Sequence, residues 1–231
     1  MTRRLSFLFS ATGGSRYRGV KVMNTPRVRP SPLYNVIGLL SWPVLRGLYR
    51  LQARGMDNVP VSGGCVLACN HVSSFDPWPL GLPLWPKRQL RFMAKSELYW
   101  WPLTLVLNGV GAFPVRRGQR DVAAIETAVR LAHEGHPVAM FPEGTRRTKG
   151  LVKRFEARPR TGAARIALEA GVPLVPAAVA GTDKLLRLGK IRIAYGPPVE
   201  IDDLRDREIG EAAAEATNRL MVKILELEGS L

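Results

Sequence analysis

From residue 57 onward, short apolar runs alternate with longer stretches whose apolar residues recur at helical spacing. The runs at 65–69, 90–94, 112–115, 138–141, 174–179 and 191–195 are short, uncharged or nearly so, and read as strands. Helical periodicity covers 98–107, 120–133, 162–170 and 207–227. Gly171 follows the third of these and marks its stop. Strands and helices alternating in this way predict an α/β domain, one sheet covered by helices around one core.

The first quarter is patterned differently. In 33–54, Ile37, Leu40, Val44, Leu48 and Leu51 fall at helical spacing, while Arg46, Arg50 and Arg54 form a separate ridge four residues apart. A spanning helix needs about 20 apolar residues. This segment is interrupted by Pro43 and the three arginines, so the expectation is an amphipathic helix in a membrane interface over 33–56. A helix packed on the main domain would carry the same pattern. Residues 1–32 are rich in Gly, Ser, Pro and Arg and read as a basic, disordered leader. Its TRRLSFL start is similar to a twin-arginine export signal, but the apolar run is too short for one. Met23 offers an alternative start.

Composition narrows the class. In 231 residues, an apolar fraction of 46% suits a globular domain and not a multi-span membrane protein. Cys65 and Cys69 share an apolar run with no further ligands at metal spacing, so buried thiols in a reducing compartment are expected, with no metal. The net charge is +15, and Met1 to Met56 holds ten Lys or Arg without one Asp or Glu. A second basic stretch spans 146–165, whereas 200–228 is mostly acidic. That asymmetry predicts a polyanionic partner, nucleic acid or an anionic lipid surface.

Chemistry enters at the strand ends. Asn70-His71-Val72-Ser73-Ser74-Phe75-Asp76 begins where the first strand stops. Folded back across a Ser-favoured turn, Asp76 takes the proton of one imidazole nitrogen and leaves the other as a base for a hydroxyl. Asp76 could equally cap the helix after Pro77. Phe141-Pro142-Glu143-Gly144-Thr145-Arg146 follows another buried strand. If the two strands are parallel, His71 and Glu143 open onto one edge, where ligands of α/β sheets gather. Gly144 permits close backbone approach, and Thr145 and Arg146 are donors suited to phosphate. Gly111-Ala112-Phe113-Pro114-Val115-Arg116-Arg117, with Lys95 before it, has the form of a second anion site, although solvated surface arginines look the same. Val172-Pro173-Leu174-Val175-Pro176 reads as a buried strand.

These four blocks, in this order, resemble the 1-acyl-sn-glycerol-3-phosphate acyltransferase family over roughly residues 57–200. The resemblance implies a glycerol-3-phosphate acyltransferase-like fold, a single mixed sheet flanked by helices, occupying 57–231. It implies His71 as general base and Asp76 as its orienter. Asn70, Lys95, Gly111, Arg117, Glu143, Gly144, Thr145 and Arg146 would bind the acceptor, Arg117 through its phosphate, and Val172 to Pro176 would shape the donor side. Two departures blur the acceptor: Arg116 stands where an acid is frequent, and an arginine-rich 153–162 replaces the usual short segment.

The implied reaction moves a fatty acyl group from acyl-CoA or acyl carrier protein to a lysophospholipid hydroxyl. The leading acceptor is 1-acyl-sn-glycerol 3-phosphate, and another polar lysolipid is the alternative. No cofactor is required, and neither a dinucleotide fingerprint nor a G-x-S-x-G elbow occurs. The rivals are a non-catalytic lipid-surface binding protein and a nucleic-acid module. The first is disfavoured by the retained His71 and Asp76, the second by the lack of any recognition signature. A peripheral or monotopic enzyme on the cytoplasmic face of the cell membrane is expected.

Overall fold

A computed structural model describes residues 28–116, 121–144, 148–149, 153–154 and 159–231. Seven strands pair into one sheet: β1 (Gln52–Arg54), β2 (Cys65–Cys69), β3 (Arg91–Lys95), β4 (Ala112–Val115), β5 (Pro137–Met140), β8 (Leu174–Ala180) and β9 (Arg192–Tyr195). Two short strands, β6 (Thr148–Lys149) and β7 (Lys153–Arg154), form a separate antiparallel pair. The sheet order is β1-β9-β8-β2-β5-β3-β4. From β8 to β4 all neighbours are parallel, whereas β9 runs antiparallel to β8 and carries β1 parallel to itself. The sheet is therefore mixed, as expected, and the six strands read from the sequence shift by a residue at most.

Alternation along β2 explains the two layers. Val66 and Ala68 face one core with α4 (Val122–His133), α5 (Gly162–Ala170) and α6 (Ile209–Gly229). Cys65, Leu67 and Cys69 face the other, together with Leu45, Leu80 and Ile193. The α4 stripe is Ala124, Ala128, Leu131 and Ala132, and that of α6 is Ala212, Ala216, Leu220 and Ile224, the spacing that buries one helix face. Asp121 caps α4 by accepting the Ala124 N–H at 3.1 Å, and Gly171 ends α5 at φ +65°.

The amino-terminal helix departs from expectation. α1 spans Pro32–Pro43, continues as a π-helical turn over Val44–Leu48, and ends there, so 49–54 is not helical. Arg50 sits at φ +47°, and the chain then enters the sheet as β1 beside β9. The arginine ridge is accordingly dispersed. Arg46 lies over the Trp42 ring at 5.5 Å, Arg50 donates to the Leu188 carbonyl, and Arg54 donates to the Ser230 carbonyl. Sheet pairing with β9, which local spacing does not reveal, won over helical periodicity.

α1 is pinned to the body at its start. Ser31 accepts the Tyr34 N–H and donates to the Gly109 carbonyl, and Gly38 lies so close to Trp85 that a Cβ there would collide with the indole. Yet Val36, Leu39, Leu40, Val44 and Leu48 are exposed. Beside them α3 (Leu103–Gly109) exposes Leu105 and Val106, preceded by exposed Trp100 and Trp101. No helix among the described residues is long and apolar enough to cross a membrane.

Candidate active site

β2 and β5 are parallel neighbours with Ala68 opposite Met140, so the loops that follow leave the sheet together. His71 and Glu143 each stand three residues beyond that pair, and both are buried at the carboxyl ends of their strands. Phe141 stacks on the His71 ring, centroids 4.2 Å apart.

His71 is 6% exposed and Asp76 is 0% exposed. His71 Nδ1 donates to Asp76 Oδ2 at 2.8 Å, because a carboxylate can only accept. The same oxygen accepts the N–H groups of Val72 at 2.7 Å and Ser73 at 2.9 Å. The other oxygen, Oδ1, accepts from Thr182 Oγ1 at 2.6 Å. Asp76 is thus held by four donors in a buried site, and the tautomer is set: Nδ1 carries hydrogen and Nε2 is the basic nitrogen. Asp76 also precedes α2 (Pro77–Gly81), but its side chain makes no cap hydrogen bond there; it bonds to His71, Val72, Ser73 and Thr182.

Several expected binding residues fall elsewhere. Asn70 is fully buried; its Nδ2 donates to the Val179 carbonyl and its Oδ1 accepts the Val179 N–H. Both amide atoms act as an extra rung of the β2–β8 ladder, so Asn70 sets strand height. Gly111 meets a backbone requirement: at φ +93°, a Cβ would fall 2.4 Å from the Leu90 carbonyl oxygen. Val172, Leu174 and Val175 lie in the core, Leu174 and Val175 on the strand that pairs with β2. Lys95 is exposed at the carboxyl end of β3 and Arg116 is exposed after β4, both at the edge that carries His71. Gly144 adopts φ +66°, and a Cβ on it would meet Arg160 Nε at 2.5 Å. Arg117, Thr145 and Arg146 lie outside the described residues, as does the leader up to residue 27.

Two contributors were missed. Arg160 donates its backbone N–H to the Pro142 carbonyl at 2.7 Å and lays its side chain against Gly144, which brings one more cation to the Glu143 loop. Thr182 follows β8, and no local motif marks it. Its nearness to Asp76 depends on β8 pairing with β2, which is invisible in a linear reading.

An apolar cavity of about 230 Å³ opens against the loop that carries the pair, lined by Tyr34, Ile37, Phe75, Trp78, Leu90 and Phe92. A base held by a carboxylate, next to an apolar cavity and a rim of cations, suits deprotonation of a hydroxyl on an amphipathic substrate.

Residues 50–180 match the profile of the Acyltransferase family. The chain belongs to that family. The 1-acyl-sn-glycerol-3-phosphate acyltransferase of Bacillus subtilis is 35% identical over 182 residues, covering 76% of this chain and 86% of that protein. A chloroplastic 1-acyl-sn-glycerol-3-phosphate acyltransferase of Brassica napus is 30% identical over 145 residues, 61% of this acyltransferase chain and 40% of the plant protein. In fold, the crystal structure of the 1-acyl-sn-glycerophosphate acyltransferase from Thermotoga maritima superposes with a TM-score of 0.60 at 24% identity, over 84% of this chain and 78% of that one.

Proposed function

We propose that this acyltransferase esterifies the free hydroxyl of 1-acyl-sn-glycerol 3-phosphate, giving phosphatidic acid for phospholipid synthesis, with acyl-CoA or acyl carrier protein as donor. The His71–Asp76 pair carries the reading: an imidazole with Nδ1 committed to a buried carboxylate has Nε2 available as a base. The names of its Bacillus and Brassica relatives support the same acceptor.

In the proposed reaction His71 Nε2 takes the acceptor hydroxyl proton as that oxygen attacks the thioester carbonyl carbon. The tetrahedral intermediate collapses with cleavage of the carbon–sulfur bond, and the departing thiolate recovers the proton from His71. Asp76 stabilises the imidazolium between the two steps. No acyl-enzyme forms. Holding donor and acceptor together supplies part of the acceleration, up to about 7–11 kcal/mol in well-oriented cases. The apolar cavity beside Phe75 suits a hydrocarbon chain, and Lys95, Arg160 and the family-motif residues Arg117 and Arg146 suit the acceptor phosphate.

The exposed apolar stripe of α1, the neighbouring tryptophans and the fully exposed Leu186 support docking on a bilayer. The +15 net charge favours an anionic surface, and buried free thiols suit the cytoplasmic face.

The test is acyl transfer from long-chain acyl-CoA and acyl carrier protein to a panel of lysophospholipids and glycerol 3-phosphate. Activity with 1-acyl-sn-glycerol 3-phosphate that disappears in His71→Ala is expected. Equal rates in the two proteins would overturn the mechanism, and preference for a different lysolipid would overturn the acceptor.

A further inference from the structure

We infer that Thr182 is a positioning residue for the catalytic pair, holding the carboxylate of Asp76 from the side opposite His71. The inference rests on the acyl-transfer reading for its kinetic consequence, though not for its geometry. Thr182 is 1% exposed, and its Oγ1 stands 2.6 Å from Asp76 Oδ1, an oxygen with no other donor among the hydrogen bonds of the described residues. The remaining three donors, from His71, Val72 and Ser73, all converge on Oδ2. A carboxylate gripped through a single oxygen can still pivot about that oxygen. A hydroxyl on the other one fixes its plane.

The position of this hydroxyl is built by long-range pairing. Cys69 is in register with Ala177, and Asn70 clamps Val179 through both amide atoms, which sets the height of β8 against the end of β2. Gly181 then turns the chain at φ +89°, where a Cβ would fall 2.0 Å from the Lys190 carbonyl oxygen. The next residue is Thr182, delivered under Asp76 at the start of a 3-10 turn over Thr182–Arg187. The β-branched side chain is stiff at χ1, which suits a donor that must hold one direction. Since the carboxylate only accepts, the Thr182 hydroxyl must spend its hydrogen on Asp76. With its plane fixed in this way, the carboxylate keeps Oδ2 on His71 Nδ1, which keeps the hydrogen there and leaves Nε2 unprotonated.

The test compares Thr182→Val, which keeps the shape and removes the donor, with Thr182→Ser, which keeps the donor. Each is assayed for acyl transfer, and the His71 tautomer is read by nitrogen-15 NMR. The Val variant should lose about tenfold or more in kcat with KM for both substrates within about twofold, and its Nδ1-protonated signature should give way to a mixture. The Ser variant should recover kcat to within about threefold of wild type. An unchanged kcat and tautomer in Thr182→Val overturns the inference, as does a Ser variant as impaired as the Val variant. Should Thr182→Val fail to fold, Thr182→Cys, of similar volume with a feeble donor, is read by the same criteria. A wild-type protein without acyl transfer would sink the proposed function alone; the tautomer signal would then decide the role of Thr182 by itself.

Discussion

Asp76→Asn separates the charge of the orienting residue from its geometry. The amide oxygen can occupy the Oδ2 position and accept from Val72 N, Ser73 N and His71 Nδ1, while the NH2 faces Thr182, whose hydroxyl can turn to accept. The hydrogen bonds survive, and the negative charge does not. With contact at 2.8 Å, the centres of the imidazolium and carboxylate charges lie about 4 Å apart, worth about 4 kcal/mol at an effective dielectric of ~20. The amide dipole retains a fraction, so the loss is about 3–4 kcal/mol, or roughly two to three orders of magnitude in kcat. Folding stability should move by no more than about 1–2 kcal/mol, since each donor keeps a partner. Asp76→Ala is the contrast: it strands buried donors and should cost about 3–5 kcal/mol of stability as well as activity. Steady-state kinetics with urea melts of both variants checks this. If Asp76→Asn kept more than about a tenth of wild-type kcat, electrostatic support of His71 would be refuted.

Gly111→Ala should cost about 2–4 kcal/mol, read as a lowered melting temperature, because a left-handed conformation and a clash with the Leu90 carbonyl combine there. Gly47→Ala, with nothing within 4 Å of its added carbon, is the neutral control. The Cys65 thiol is pushed up to about 11 by burial, so it stays protonated and unreactive near pH 8. Thiol-labelling reagents should therefore leave it unmodified in the native protein and react once urea unfolds the chain; rapid native labelling would contradict its burial. His136, at the opposite edge of the sheet, is pushed down to about 4 by burial and then by the Arg91 charge. The unfolded chain, with an ordinary value of 6.5, binds the proton that the folded chain refuses. Stability is thus full above that value and falls as pH drops toward 4. After allowance for partial exposure, the loss is about 1 kcal/mol, and denaturant melts of His136→Gln across this range should lack it.

Strands and helices were legible where burial is two-faced or a stripe repeats. The runs at β2, β5 and β8 are apolar on both faces because helices cover both sides of the parallel sheet. His71 and Asp76 were legible because a five-residue turn places them together without help from the rest of the chain. What was not legible depends on pairing across sequence distance. Residues 49–54 keep helical spacing yet leave the helix, since β1 finds β9 only in three dimensions. Asn70 and Gly111 have the residue types of a binding site, but their contacts with Val179 and with the Leu90 carbonyl form only across the fold. Thr182 carries no motif at all; its partner is 106 residues earlier in the chain.

That last separation also has a meaning in time. The loop bearing His71 and Asp76 leaves the ribosome well before Val179 and Thr182 are made, by 109 and 106 residues respectively for the two contacts. At typical synthesis rates of ~5–20 residues per second, the catalytic loop waits roughly 5–20 s for the strand that sets its height. A nascent or prematurely terminated chain therefore carries His71 and Asp76 without the Asn70–Val179 and Thr182–Asp76 contacts. Completion of the sheet acts as a checkpoint: a chain broken anywhere before Thr182 lacks the hydroxyl that meets the second oxygen of Asp76.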